Sequence, residues 1–413
     1  MQRTLVTLAL SFIAFTSCMA NSAMEPAAFD PASVGDSYLS DFYFFDGSPP
    51  DEPGKLLRQE PLDQKQTLEH AADNLRLLYS STNGLTGTGT VIASGVLFLP
   101  RGDAPTGGWP LMAWTHGTVG VADVCAPSWN GRQAQDEEYL NRYLSRGYAV
   151  VASDYQGLGT RGTHPYLATK AAAYSNLDII RVVQRGGFPV SDRIVLFGQS
   201  QGAAAAIATA GYATNYAPEL EIVGVVATGA PYFTPAALDT LDRLRKPEEP
   251  DPMLGYSFLA LTLAQQLDPS FRMRDYITDH AWPIAARVND TCYAEIKQMV
   301  TEKKLSRANS FALPPRDGLR QAFAAMGYPD LNLSVPVFFG TGGQDRDTPP
   351  RMQASLVMAL CNAGTTVHSK LYPELDHRGV VLPSAADSTL FVETVFKGEA
   401  IPGNCDRLPF QRP

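Results

Sequence analysis

Hydrophobic and polar positions follow two rhythms along this 413-residue chain, and a long interruption separates two stretches of the second. The first rhythm is strand-like. Residues 75–81 and 91–100 are apolar-rich runs on either side of a Gly/Thr-rich stretch at Asn83-Gly84, which predicts an antiparallel pair. The second begins near residue 111, where short buried-type runs at 111–115, 149–155, 194–197 and 222–228 alternate with helical segments at 138–146, 177–184 and 203–216. That alternation predicts βαβ units and a mostly parallel sheet, an α/β fold. Residues 235–333 then carry helical stretches (236–245, 256–266, 293–304, 319–326) but no clear buried strand. Pro247, Pro250 and Pro252 punctuate the entry, and Pro314-Pro315 marks another turn. An interruption of about 100 residues exceeds an ordinary loop and reads as a helical insertion. The rhythm resumes with a strand at 335–340, a helix at 351–363, a strand at 366–372 and a helix at 385–397.

The ends change the picture. Arg3 precedes an uncharged, mainly apolar run of 12 residues, Thr4 to Phe15, too short to span a bilayer as a helix. Small residues follow at Ser17, Ala20, Ser22 and Ala23. We therefore expect a cleaved signal over 1–23 and a secreted protein, extracellular or periplasmic. Residues Phe15 to Cys18 loosely resemble a lipoprotein cleavage box, which makes anchoring through Cys18 the alternative. No later stretch is apolar and long enough for a transmembrane helix. The expected organisation is an arm at 24–65, a core at 66–234, the helical insertion at 235–333, and the rest of the core at 334–413. The aromatics Phe42 to Phe45 should pack the arm onto the body.

A net charge of −9 argues against nucleic acid as the main partner. Besides Cys18 there are Cys125, Cys292, Cys361 and Cys405. An even number in an exported chain suggests two disulfides, with three pairings open. No two are spaced as Cys-x-x-Cys and the histidines are scattered, so neither a metal site nor a cofactor is expected.

The chemistry gathers at 194–202, where the run Ile194 to Phe197 enters Gly198-Gln-Ser-Gln-Gly202 and Ala203 to Ala206 begin a helix. Strand, G-x-S-x-G and helix in succession form the nucleophile-elbow pattern, a strained turn that holds a serine hydroxyl at a helix N-terminus. Ser200 is the candidate nucleophile. A serine needs a base and a carboxylate to orient it. Both should follow in chain order from loops after strands. The loop after 335–340 holds Asp345 and Asp347, and the loop after 366–372 holds His377. His377 is the expected base. Asp345, first after the glycine turn, is the expected acid, with Asp347 as the rival whose other role is to cap the helix near Pro350. Asp376 reads as a local turn residue and His368 as structural. The oxyanion hole needs two backbone N–H groups. Gln201 should supply one and Thr118, in His116-Gly117-Thr118, the other, with His116 pinning that loop.

Trp114 to Ser128, Ala152 to Gly159 with His164-Pro165-Tyr166, the elbow, and Pro53 to Arg58 form an ordered set of motifs. Together they resemble the secretory lipase family, the Candida antarctica lipase A type. The resemblance runs from about residue 40 to 400 and implies an α/β-hydrolase with a helical lid inserted between strands. It also implies hydrolysis of carboxylic esters, often acylglycerols, by Ser200, Asp345 and His377, with the oxyanion held at the Thr118 loop. Cys125 matches a family cysteine that pairs into the lid, which implies Cys125–Cys292 and leaves Cys361–Cys405. Gln199 stands where bacterial relatives commonly have histidine, and Ala203 replaces a frequent second glycine. The implied partner is a small-molecule or lipid ester, with lipid-interface contact through the lid. Acyl transfer and peptide cleavage use the same triad. The peptidases usually carry a large accessory domain that has no counterpart here. A silent binding protein would lack a triad member, and none is missing.

Overall fold

The computed structural model describes residues 39–410, so the expected signal segment and Cys18 lie outside the described residues. Nine strands form one sheet: β1 (Leu56–Pro61), β2 (Ala71–Thr82), β3 (Thr90–Pro100), β4 (Trp109–Thr115), β5 (Ala149–Ser153), β6 (Val190–Gln199), β7 (Glu221–Thr228), β8 (Val337–Gly342) and β9 (Val367–Tyr372). Their order is β1-β2-β3-β5-β4-β6-β7-β8-β9. The pairs β1/β2, β2/β3 and β3/β5 are antiparallel, and every later neighbour is parallel. This is the α/β-hydrolase arrangement.

Parallel strands must be covered on both faces, which is why their sequences read as unbroken apolar runs. All residues of β5 and β8 are buried. Successive side chains point to opposite faces. Phe339 and Val225 join one core with Leu196 and Ile180, while Phe338 and Val226 join the other with Phe197 and Phe391. Helices Thr169–Arg185, Gln201–Tyr216 and Pro350–Ala363 cover the first face, and Ala134–Leu144 and Val381–Phe396 the second.

Between β7 and β8 the chain is helical, with its longest helix at Leu254–Leu267. That helix is apolar on nearly all sides and forms a separate core from Phe258, Leu261, Ile296 and Val300, joined by Tyr166 and Ala171 of the body. Short helices such as Met273–Tyr276 and Arg307–Ser310 were not anticipated, because four residues span too little for a helical period to show. Cys125 and Cys292 lie at disulfide distance (2.13 Å), as do Cys361 and Cys405 (2.09 Å). The first pair joins the segment after β4 to the helical stretch, and the second ties the C-terminal tail to helix Pro350–Ala363.

Within the expected extended arm, Leu56–Pro61 pairs with β2 as an edge strand. Its Leu-Leu-Arg-Gln-Glu-Pro sequence is half polar because an edge strand is only partly covered, and so it lacks the apolar run of the central strands. Upstream of it, Phe42 and Tyr43 are buried against Leu78, as the arm reading expected.

The two-faced core makes a stability prediction. Phe338 is fully buried, whereas Leu390 is 66% exposed. Phe338→Ala should cost ~3–5 kcal/mol in urea unfolding, and Leu390→Ala under about 0.5 kcal/mol. Equal effects would contradict this packing.

Candidate active site

Every candidate residue sits beyond the C-terminal end of a parallel strand, the edge where ligands bind in open α/β sheets. After β6 the backbone turns sharply into helix Gln201–Tyr216, and Ser200 sits at the turn with φ 59° and ψ −123°. This left-handed conformation is costly for a serine. Close packing of two glycines enforces it. A Cβ on Gly202 would fall 1.9 Å from Thr115 O, and one on Gly198 would fall 2.2 Å from Gly202 O. The Thr115 hydroxyl lies 2.6 Å from both Phe197 O and Gly202 O, and the Ser200 N–H donates to Thr228 O at 2.9 Å. The elbow is thus locked to β4 and β7.

Asp345 follows β8 and is buried, with five donors converging on its carboxylate. Oδ1 accepts from the N–H groups of Asp347 (2.9 Å) and Thr348 (2.8 Å). Oδ2 accepts from His377 Nδ1 (2.7 Å), Gln353 Nε2 (2.8 Å) and Thr348 Oγ1 (2.9 Å). With donors on both oxygens, the carboxylate is an acceptor throughout and the proton it shares with the ring lies on His377 Nδ1. His377 Nε2 is buried and has no hydrogen-bond partner, so its bond to Ser200 is not closed in this structure. Such bonds are often loose without substrate. The two sides are nevertheless joined. Gln199, next to the serine, donates from Nε2 to His377 O at 3.1 Å. A Cβ on Gly229 would lie 3.0 Å from the His377 ring and 3.5 Å from Asp345 Oδ2, directly after the residue that receives the Ser200 N–H.

Asp347 is elsewhere engaged. Its Oδ2 accepts from Tyr256 Oη at 2.7 Å, on the longest helix of the 235–333 segment. Burial, then the Tyr293 phenol and the Asp347 charge, push the Tyr256 phenol well above its ordinary range, so it stays a donor. The expected capping role of Asp347 does not occur: the helix starts at Pro350 behind Pro349 with no side-chain cap. Asp376 accepts from Gly379 N–H within its own turn, and His368 stacks on Phe338 away from the site.

Gln201 is the first residue of its helix, where N–H groups lack intrahelical acceptors. The loop after β4 approaches from the other side, and a Cβ on Gly117 would lie 3.8 Å from Ser200 Cβ. The side chain of His116 pins that loop, with Nδ1 2.7 Å from Gly117 O and Nε2 3.1 Å from Asp154 O. Thr118, Ser200 and Gln201 line a cleft of roughly 1080 Å³, its mouth included. Its remaining walls are mainly apolar and come largely from the 235–333 segment, among them Leu254, Ala260, Phe311, Leu319 and Phe323. Among the described residues no group of His, Cys, Asp and Glu could hold a metal ion.

Three partners were missed by reading the sequence. Gln199 as a clamp on the His377 loop and Tyr256 as partner of Asp347 are long-range contacts without a local pattern. Gln353 had a weak signal, a glutamine on the buried face of a helix close behind Asp345.

The secretory lipase family model matches residues 128–306. A curated relative named lipase A, from Moesziomyces aphidis, is 25% identical over 284 residues, 62% of this chain and 56% of its own. The chain therefore spans little more than half the length of that relative. Among solved structures, Candida antarctica lipase A in its closed state superposes with TM-score 0.71 at 19% identity, covering 93% of this chain and 90% of that one. The rice cell wall degrading esterase LipA from Xanthomonas oryzae superposes at 0.61 with 21% identity, covering 84% and 95%.

Histidine NMR tests which carboxylate holds the ring. The His377 Nδ1 proton should appear far downfield, persist in Asp347→Asn and be lost or strongly shifted in Asp345→Asn. An unaltered signal in Asp345→Asn would remove Asp345 as the partner.

Proposed function

From its likeness to the secretory lipase family, we propose that this chain is a secreted serine hydrolase that cleaves carboxylic esters. The observation that carries the reading is the buried Asp345–His377 bond at 2.7 Å, beside a strained elbow serine and with the far ring nitrogen unpartnered. Ser200 Oγ attacks the ester carbonyl carbon as His377 Nε2 takes its proton. Asp345 holds the ring by Nδ1 and stabilises the imidazolium. The tetrahedral oxyanion lies on the N–H groups of Thr118 and Gln201. Collapse breaks the bond to the alkoxy oxygen, and His377 returns its proton to the departing alcohol. Water, deprotonated by the same nitrogen, then attacks the acyl-enzyme, releases the acid and restores Ser200. Each oxyanion donor is typically worth ~3 kcal/mol to such a step.

The segment 235–333 acts as the lid of this site. It lines the cleft with apolar side chains, which supports acyl chains or other apolar ester groups as the part of the substrate that enters. Among its ties to the body are Tyr256 to the acid loop and Cys292 to the segment after β4. Contact with a lipid interface would run through this segment.

Kinetics with p-nitrophenyl butyrate test the reading. Ser200→Ala should lower kcat by ~10⁴-fold or more, and Asp345→Asn by ~10³–10⁴-fold, while Asp347→Asn keeps kcat within about ten-fold. Near-wild-type turnover by Ser200→Ala would sink the proposal.

A further inference from the structure

The residue that follows the nucleophile is tied to a buried histidine outside the triad. Gln201 is 4% exposed, and its Nε2 lies 3.1 Å from His164 Nε2. On the other edge of the ring, His164 Nδ1 lies 3.0 Å from Gln156 O. A carbonyl only accepts, so Nδ1 carries the proton; an amide nitrogen only donates, so Nε2 offers its lone pair. The two contacts demand one tautomer of the neutral ring. A protonated ring would set N–H against NH₂. Burial opposes that form and holds the His164 pKa down at about 4.

The ring also leads to the other side of the hole. Tyr155 lies between two imidazoles, 5.8 Å from His164 and 4.2 Å from His116 between ring centres, both near-parallel. Its hydroxyl donates to His116 O at 3.0 Å, two residues before Thr118. Tyr155 is itself held at φ 73°, so this stack keeps a strained residue in place. The lid helix reaches it as well, since Gln266 Nε2 donates to His164 O at 3.2 Å.

We propose that His164 is a positioning residue of the oxyanion hole: its imidazole fixes Gln201 at the elbow and, through Tyr155, sets the His116–Thr118 loop opposite. The proposal rests on the hydrolase reading above. The role differs from core filling because it requires an acceptor at the Nε2 position, not only a ring of the right size. With both donors aimed beforehand, the cost of ordering them does not fall in the transition state. Substrate binding in the lid-lined cleft does not use this contact, so the effect belongs in kcat.

The test compares His164→Phe, which keeps the stack but removes the acceptor, with His164→Gln, which restores one. With p-nitrophenyl butyrate, His164→Phe should lower kcat ~10–100-fold with KM within about two-fold. Inhibition by a trifluoromethyl ketone, whose hemiketal oxyanion occupies the same hole, should weaken in proportion. His164→Gln should recover most of both. Gln201→Met approaches the same bond from its other end and keeps the backbone N–H. It should lose a similar factor, and the double variant His164→Phe/Gln201→Met should lose little more. Wild-type kcat in a folded His164→Phe would overturn the proposal, as would independent, multiplying losses in the double variant. Failure of the hydrolase reading itself would be separate: the wild-type protein would not turn over the ester, or Ser200→Ala would retain activity.

Discussion

The site depends on the absence of room for two Cβ atoms. Gly198 and Gly202 let β6, the helix behind it and the end of β4 approach so closely that Ser200 has no alternative to its left-handed turn. The strain of that turn, of order 1–3 kcal/mol, is offset by the sheet packing on either side. The fully buried strands β5 and β8 and the two cores are thus the frame that fixes a serine backbone, besides being sources of stability. The same crowding brings Thr115 against Gly202 and so fixes where the His116–Thr118 loop leaves the sheet.

Around this point, the other groups are positioned by hydrogen bonds that leave few alternatives. Asp345 accepts five donors, two of them backbone N–H groups of its own loop, so its orientation toward His377 is built into the turn. Gln199 connects the elbow to the backbone of His377, which joins neighbours in space although 178 residues separate them. The helical segment is tied to the body by contacts that include Tyr256–Asp347 and Cys125–Cys292. Under the proposed reading, chemistry belongs to the sheet and selection of the ester to the segment that lines the cleft.

Much of this was legible in the sequence because it is local. A buried parallel strand is a run of apolar residues, and the elbow is a contiguous pentapeptide. Asp345 and His377 each follow a recognisable strand, so chain order alone placed them in loops that the fold does bring together. Both cysteine pairs, implied only by the resemblance, lie at disulfide distance. What was illegible is either weakly patterned or long-range. β1 hid as an edge strand with half its residues polar, and the four-residue helices are too short to show a period. The choice between Asp345 and Asp347 turns on backbone geometry within one loop and on Tyr256, nearly a hundred residues away in sequence. Neither leaves a trace in spacing. The capping role assigned to Asp347 failed for the same reason, since Pro349 and Pro350 start that helix without it.

The central claim is that Ser200, activated by His377, is the nucleophile. Labelling the native protein with a fluorophosphonate and mapping the adduct by peptide mass spectrometry tests it most directly. The account predicts one equivalent of label on Ser200, formed rapidly in the wild type and hardly at all in His377→Ala. Label on another residue, or ester hydrolysis that continues while Ser200 remains unmodified, would contradict it.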